Sequence, residues 1–125
     1  MKLIEKEEIS EVDPAILVFL ESLYAGEVET NIDYARACMK DCLNRGEAPF
    51  ASHLLYTQPG VLDDTVREER AKGIQAGFAW RRAAKKTVVY TDLGFSNGMR
   101  FGIADASSIH GHEIEYRTLP NWGRS

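Results

Sequence analysis

The sequence has no excess of basic charge, few cysteines and no long apolar run. Its 19 Asp and Glu residues outnumber its 15 Lys and Arg residues, and the formal net charge is −4 at pH 7. A surface that binds nucleic acid polymers needs clustered positive charge, so we expect no such partner. No stretch approaches the roughly 20 apolar residues of a membrane-spanning helix. We therefore expect no membrane partner, no secretion signal and a cytoplasmic protein.

The two cysteines, Cys38 and Cys42, lie four residues apart in a pattern typical of a helix. One helical turn is too strained a path for a disulfide, and two thiols without suitably spaced histidines do not make a zinc site. We therefore predict that both are reduced core residues. We expect neither a metal nor a cofactor.

The length of 125 residues suits one compact domain, which we assign to residues 14–125, after a charged N-terminal arm over residues 1–13. Within the domain, short apolar runs alternate with helical periodicity. Strands are predicted over residues 15–20, 48–50, 87–90 and 113–117, helices over 31–45, 65–84 and 96–110, and a long loop over 51–64. This alternation predicts an α/β fold with a small, mostly parallel sheet flanked by helices.

The stretch from Tyr90 to Ala106 organises the rest of the chain. It is typical of a buried strand, a Gly/Ser turn and a helix that opens near Ser96 or Asn97. The first turn of a helix leaves backbone N–H groups free, and these favour an anion. In a parallel sheet the ligand crevice lies beyond the carboxyl ends of the strands, where we expect Tyr24, His53 and residues 94–97 to converge.

Two arginines are candidates for binding an anion. Arg70 shares a helical stripe with Val66 and Gly73, so we expect it to point towards the sheet, where it needs an anionic ligand or an internal salt bridge. Arg100 lies in the first turn of a helix, where a cation opposes the helix dipole unless an anion lies there too. The basic run over residues 80–86 is predicted to be a solvated face.

The other candidates carry weaker signals. Tyr24 could stack on a ligand or simply pack, and His53 could be a ligand donor or structural. No nucleophile-elbow spacing surrounds a Ser, His and Asp arrangement. Asp92 is the carboxylate most clearly expected at the crevice, and one carboxylate does not make the pair that glycosidic chemistry uses.

Four segments carry a family resemblance: residues 22–26 (SLYAG), 51–56 (ASHLLY), 69–74 (ERAKGI) and 96–102 (SNGMRFG). Over residues 15–119 the chain resembles the nucleoside 2-deoxyribosyltransferase-like superfamily, and within it a small phage-type branch that lacks the catalytic Glu. The resemblance implies a Rossmann-like, three-layer domain that holds a nucleoside or nucleotide. It also implies a homo-oligomer.

The enzymes of that superfamily cut or exchange the N-glycosidic bond with a Glu that directly follows a Gly-Met or Gly-Tyr pair, and a further Asp comes from the helix before the third strand. Here Arg100 follows Gly98 and Met99, and Arg70 stands at the position of the Asp. Both replacements remove a carboxylate. A guanidinium is neither a nucleophile nor a base at pH 7, so the resemblance implies a disabled covalent mechanism and a cleft that favours phosphate.

These observations predict a non-catalytic nucleotide-binding protein, which in a phage could sequester a nucleotide immune signal such as an ADP-ribose derivative or a cyclic oligonucleotide in the host cytoplasm. A nucleotide N-glycosidase or deoxyribosyltransferase that uses Asp92 or Glu69 stays open. So does a protein-interaction module with a vestigial cleft. The predicted ligand-binding residues are Tyr24, Gly26, His53, Arg70, Asp92, Ser96, Asn97, Met99 and Arg100.

Overall fold

Strands and helices alternate through residues 13–24 and 26–123, the part of the chain that the computed structural model describes. Most of the predicted arm over residues 1–13 lies outside these described residues. The elements are β1 (Ile16–Glu21), α1 (Val28–Asn44), β2 (Glu47–Phe50), α2 (Ser52–Leu55), α3 (Arg67–Ala83), β3 (Lys86–Tyr90), α4 (Asn97–Ser108) and β4 (Glu113–Arg117). No helix in this part of the chain has the length and apolarity needed to cross a bilayer.

The four strands form one parallel sheet in the order β2-β1-β3-β4. Phe19 of β1 is in register with Phe50 of β2 on one side and with Thr87 of β3 on the other. The chain therefore builds the sheet outwards in both directions from β1, and the order reverses between β1 and β3, where α/β proteins bind their ligands. The predicted α/β fold, Rossmann-like with three layers and helices flanking a small sheet, is confirmed.

The core lies between the two central strands and α1. Leu20 of β1 and Val88 of β3 pack with Cys38 and Cys42, both of which are free and buried as predicted. Strands buried on both faces are apolar without alternation, as the run at the end of β1 is. The exposed start of β1 at Ile16 departs from this expectation.

Helix α1 begins three residues earlier than predicted, at Val28. Asn31, the predicted N-cap, is instead buried inside the helix, and its N–H donates to the carbonyl of Glu27 at 2.9 Å. The helix ends where the sequence predicts, because Gly46 adopts a φ of +80°, which only glycine adopts without strain.

The inward face of α3 differs from the prediction. Gly77 packs over Phe19, and Arg81, four residues later on the same face, is only 2% exposed. Its guanidinium carbon lies 3.9 Å from the centroid of the Phe19 ring. The prediction of a solvated basic run was therefore wrong for Arg81, although the neighbouring Arg82 is exposed as expected.

A network of ion pairs joins strands β2, β3 and β4. Arg117 at the end of β4 donates to both carboxylate oxygens of Glu47 in β2, at 2.7 and 2.6 Å. Lys86 of β3 bridges Glu47 and Glu115, at 3.3 and 2.9 Å. Because each buried charge has an opposite partner, the network is satisfied and fixes the strands relative to one another.

Candidate functional site

A cavity of about 790 Å³ lies beyond the carboxyl end of β1, between α2, α3 and the beginning of α4. Tyr24, His53 and residues 95–97 all border it, so these loops converge as predicted. The volume is in the range of small-molecule sites, and the position is the one at which open parallel sheets hold their ligands.

The beginning of α4 supplies hydrogen-bond donors to this cavity. The helix opens near Ser96 or Asn97 as predicted, and Ser96 is its N-cap, because its side chain accepts a hydrogen bond from the Met99 N–H at 3.2 Å. The backbone N–H groups of Asn97 and Gly98 precede the first hydrogen bond of the helix, which Arg100 donates to the Ser96 carbonyl. Ser96, Asn97, Gly98 and Met99 all border the cavity, so the positive end of the helix dipole lies at its wall.

Two aromatic rings form another wall. The ring centroids of Tyr24 and His53 lie 4.8 Å apart. The Tyr24 hydroxyl donates to Thr57 at 3.5 Å, and the His53 Nε2 lies 3.4 Å from the Ser22 hydroxyl. Burial lowers the pKa of His53 to about 4, so the ring is neutral at pH 7. This wall can stack on a flat ring, and it offers no positive charge to an anion.

Glu21, which the sequence analysis did not select, places a carboxyl group in the same cavity. Its Oε1 lies 3.4 Å from an Arg81 nitrogen, whereas Oε2 is buried and has no hydrogen-bond partner. Within the described part of the chain, no other buried side-chain nitrogen or oxygen lacks a partner. Burial raises the pKa of Glu21 to about 7, against the opposing effect of Arg81. The sequence feature that could have identified Glu21 is its position at the carboxyl end of a central strand, where parallel sheets hold their ligands.

Gly102 of α4 makes room for this carboxyl group. A Cβ at residue 102 would lie 2.6 Å from the Cδ of Glu21 and 2.7 Å from its Oε1, well inside van der Waals contact. The helix therefore crosses the end of β1 at a residue without a side chain. Any larger residue at position 102 would displace the Glu21 carboxyl group.

Arg81 pairs with Glu21, but its guanidinium also binds two other residues. Its Nε donates to Asp105 at 3.1 Å and its Nη1 donates to the Thr87 hydroxyl at 2.7 Å, both shorter than its contact with Glu21. The Thr87 hydroxyl lies 2.8 Å from the His112 Nε2. The guanidinium is thus fixed by α4 and β3 rather than by Glu21 alone.

Arg70 lies at the rim of the cavity and is exposed. The expectation that it points towards the sheet was wrong, although the helical face was right, because Arg81 lies eleven residues later on the same side of α3. Helix α3 begins at the carboxyl edge of the sheet, so its first turn extends over the cavity instead of over the strands. Glu69, the fallback carboxylate, also borders the cavity and accepts a hydrogen bond from the Asp63 N–H at 3.3 Å.

Arg100 does not reach the cavity. Met99 is the buried residue of this helical turn, and the next side chain points about 100° away from it around the helix. The Arg100 guanidinium lies 5.7 Å from the Phe95 ring centroid, in a separate surface depression that Tyr116 also borders. The expectation that Arg100 places a positive charge in the cavity was therefore wrong.

Asp92 and Gly26 also lie outside the cavity lining. The Asp92 carboxylate accepts hydrogen bonds from the Tyr34 hydroxyl at 2.6 Å and from the Leu119 N–H at 2.9 Å, so it joins the loop after β3 to α1 and to the chain beyond β4. The expectation that Asp92 faces the crevice was therefore wrong. Gly26, with a φ of +94°, turns the chain between β1 and α1.

No group of three His, Cys, Asp or Glu side chains within residues 13–24 and 26–123 is arranged to hold a metal ion. The chemistry that the cavity offers comes from its own donors and acceptors: the free amides of α4, the Glu21 carboxyl group, the rim arginine and the two aromatic rings.

Comparison with known proteins places the chain in a family. No curated protein matches it. Residues 16–117 match the sequence model of a family described as a domain of unknown function, DUF7768. This stretch begins at the first residue of β1 and ends at the last residue of β4, so it contains the whole sheet and all the residues that border the cavity. The chain is therefore a member of the DUF7768 family.

Proposed function

We propose that this chain binds a nucleotide in the cavity beyond β1 and does not cleave it. One observation carries the proposal: the same cavity joins the free amide end of α4 to a neutral aromatic wall made by Tyr24 and His53. A nucleotide needs both, because its phosphate is an anion and its base is a flat ring.

The phosphate is assigned to the beginning of α4. The Asn97 and Gly98 amides and the Ser96 side chain lie there, and Arg70 stands at the rim of the same cavity. A helix N-terminus stabilises an anion through its free N–H groups and its dipole, and an arginine adds charge-assisted hydrogen bonds. Asp64 and Glu69 also border the cavity, and their acidic side chains disfavour an anion next to them.

Binding without cleavage agrees with the positions of the two arginines. In the superfamily that the chain resembles, the catalytic carboxylates occupy the positions of Arg70 and Arg100. Here Arg100 is turned out of the cavity and Arg70 is a rim cation. A small phage protein that sequesters a nucleotide immune signal, such as an ADP-ribose derivative or a cyclic oligonucleotide, would need retention rather than turnover. The resemblance also supports a homo-oligomer.

Calorimetric titration tests the proposal. We expect saturable binding of at least one of AMP, ADP-ribose and a cyclic dinucleotide at micromolar concentrations, and a loss of about fivefold in affinity for Arg70→Ala. Arg67→Ala is the matched control, because Arg67 is exposed on the same helix and does not border the cavity. No saturable heat from any of the three ligands would overturn the proposal. Native mass spectrometry of the same samples gives the assembly state.

The alternative function is cleavage or transfer at an N-glycosidic bond. It is favoured by one observation, that Glu21 supplies a carboxyl group inside the cavity although the two family positions have lost theirs. Release of free base from nucleosides or nucleotides during incubation with the protein, absent in Glu21→Gln, would establish it and would replace the binding proposal.

A further inference from the structure

We infer that Glu21 makes the deep end of the cavity a subsite for the vicinal hydroxyl groups of a ribosyl unit, so that the site selects ribonucleotides over dideoxynucleotides. The inference rests on the proposed function, because it assumes that a nucleotide enters this cavity. It goes beyond that function by naming the part of the ligand that meets Glu21.

The Glu21 carboxyl group has unmet hydrogen-bonding capacity. A carboxylate can accept about four hydrogen bonds. Glu21 receives one, from Arg81 at 3.4 Å, and its Oε2 has none. A buried acceptor without a donor is costly. A ligand that donates hydrogen bonds to Glu21 removes this cost and gains binding free energy.

The neighbours of the Glu21 side chain fix the position of its carboxyl carbon. Its side chain is 12% exposed, on the floor of the cavity, and it lies against the Cα of Gly102 on one side and Arg81 on the other. Rotation about the Cγ–Cδ bond of a glutamate is soft, so either oxygen can turn to the cavity. The acceptor is therefore held in place before the ligand arrives.

The charges in the cavity determine which end of the ligand lies at Glu21. The charged groups beside Glu21 are the Arg81 cation and the Asp105 carboxylate that shares it, and the His53 ring that borders the same cavity is neutral. A phosphate beside the Glu21 carboxylate would be repelled, whereas hydroxyl groups would not. The phosphate end must therefore lie at the start of α4 and the hydroxyl end at Glu21.

The distance from the start of α4 to Glu21 fits one sugar phosphate. Gly102, against which Glu21 lies, is five residues after Asn97, or about 7.5 Å along the helix axis. This is about the length of one phosphorylated sugar ring. A ribose 5′-phosphate can thus contact both groups, and a carboxylate that accepts hydrogen bonds from ribose hydroxyls is a known solution in nucleotide-binding α/β folds.

Calorimetry at pH 8 with AMP and with 2′,3′-dideoxyadenosine 5′-monophosphate tests the inference. We expect AMP to bind the wild-type chain at least about tenfold more tightly, because the dideoxy compound leaves the carboxylate unpaired. In Glu21→Gln that ratio should fall to about two. Glu68→Gln is the matched control, since Glu68 is exposed and does not border the cavity, and it should keep the wild-type ratio.

A second variant tests the same point without changing charge. In Gly102→Ala the added methyl group displaces the carboxyl group, so the preference for AMP should also fall. Equal binding of the two nucleotides to the wild-type chain, or an unchanged ratio in both Glu21→Gln and Gly102→Ala, would overturn the inference and leave the proposed function standing. Failure of both nucleotides to bind would overturn the inference, and the proposed function falls with it only if ADP-ribose and the cyclic dinucleotide also give no saturable heat.

Discussion

Tyr34 and Asp92 are joined by two hydrogen bonds: the Tyr34 hydroxyl donates to the Asp92 carboxylate at 2.6 Å and accepts from the Asp92 N–H at 2.9 Å. Leu119 adds its own N–H to the same carboxylate oxygen. The arrangement locks the loop after β3 between α1 and the chain that follows β4. Asp92 therefore stabilises the fold at the carboxyl end of β3, where the sequence predicts that it contacts a ligand.

Removing this link should lower stability and leave ligand binding unchanged. For Tyr34→Phe and Asp92→Ala we expect losses of about 1–3 kcal/mol in the free energy of unfolding, because each removes the hydrogen bond between the Tyr34 hydroxyl and the Asp92 carboxylate. Urea titration measures the stability, and calorimetry with AMP measures binding. A variant that keeps wild-type stability but no longer binds AMP would contradict this assignment.

Arg81 should be far more important to stability than Arg82, although both contact Asp105. Arg81 is buried and pairs with Glu21 and Asp105, so Arg81→Met leaves the Glu21 carboxyl group without a cation and Asp105 with only the exposed Arg82. We expect a loss of about 3–5 kcal/mol for this variant. Arg82→Ala is the control, and it should leave the urea midpoint nearly unchanged because Arg82 is exposed. Similar losses for the two variants would contradict the placement of Arg81.

Glu21 should make the fold less stable as the pH rises. Burial raises its folded-state pKa to about 7, above the ordinary value of 4.5, so the folded chain holds this proton more tightly than the unfolded chain. Stability from this group is fully present below pH 4.5 and is lost as the pH rises through 7. Glu21→Gln should therefore exceed the wild type by up to about 3 kcal/mol at pH 8, and by much less at pH 5.

Thermal or urea unfolding of Glu21→Gln and the wild type at the two pH values provides the check. A stability difference that does not change between pH 5 and pH 8 would show that the Glu21 carboxyl group ionises normally in the folded chain.

Glu47 should show the opposite pH dependence. Hydrogen bonds from Arg117 lower the pKa of Glu47, so its contribution is present above pH 4.5 and is lost as the pH falls through its folded-state pKa. We expect Glu47→Gln to cost about 3 kcal/mol at pH 7, because it leaves Arg117 buried without its main partner. The stability difference between Glu47→Gln and the wild type should shrink in urea titrations below pH 4. A difference that stays constant would show that the pKa of Glu47 is not lowered in the folded chain.

Most of the fold could be predicted from the sequence because its signals are local. The strand over residues 113–117 agrees with the structure to the residue, and helix α4, predicted to open near Ser96 or Asn97, begins at Asn97. The side-chain directions were harder. Periodicity identifies the inward face of α3, but it does not say which turn lies over the sheet, so Arg70 was selected instead of Arg81.

The candidate site was only partly predictable, because its central group depends on a contact between distant residues. Glu21 fits into the cavity since Gly102 has no side chain, and 81 positions separate the two in the sequence. No local pattern reports such a pair. The backbone donors near Ser96 and the rings of Tyr24 and His53 were found, because the end of a parallel strand and the start of a helix indicate a ligand site by themselves.

Chemical-shift mapping of the ¹⁵N-labelled chain with AMP tests the central claim, that a nucleotide occupies the cavity beyond β1. We expect the largest shifts at the amides of Asn97 and Gly98, with further shifts at Glu21, Tyr24 and His53. No shifts with AMP, ADP-ribose or a cyclic dinucleotide, or shifts confined to the depression bordered by Arg100 and Tyr116, would contradict the claim.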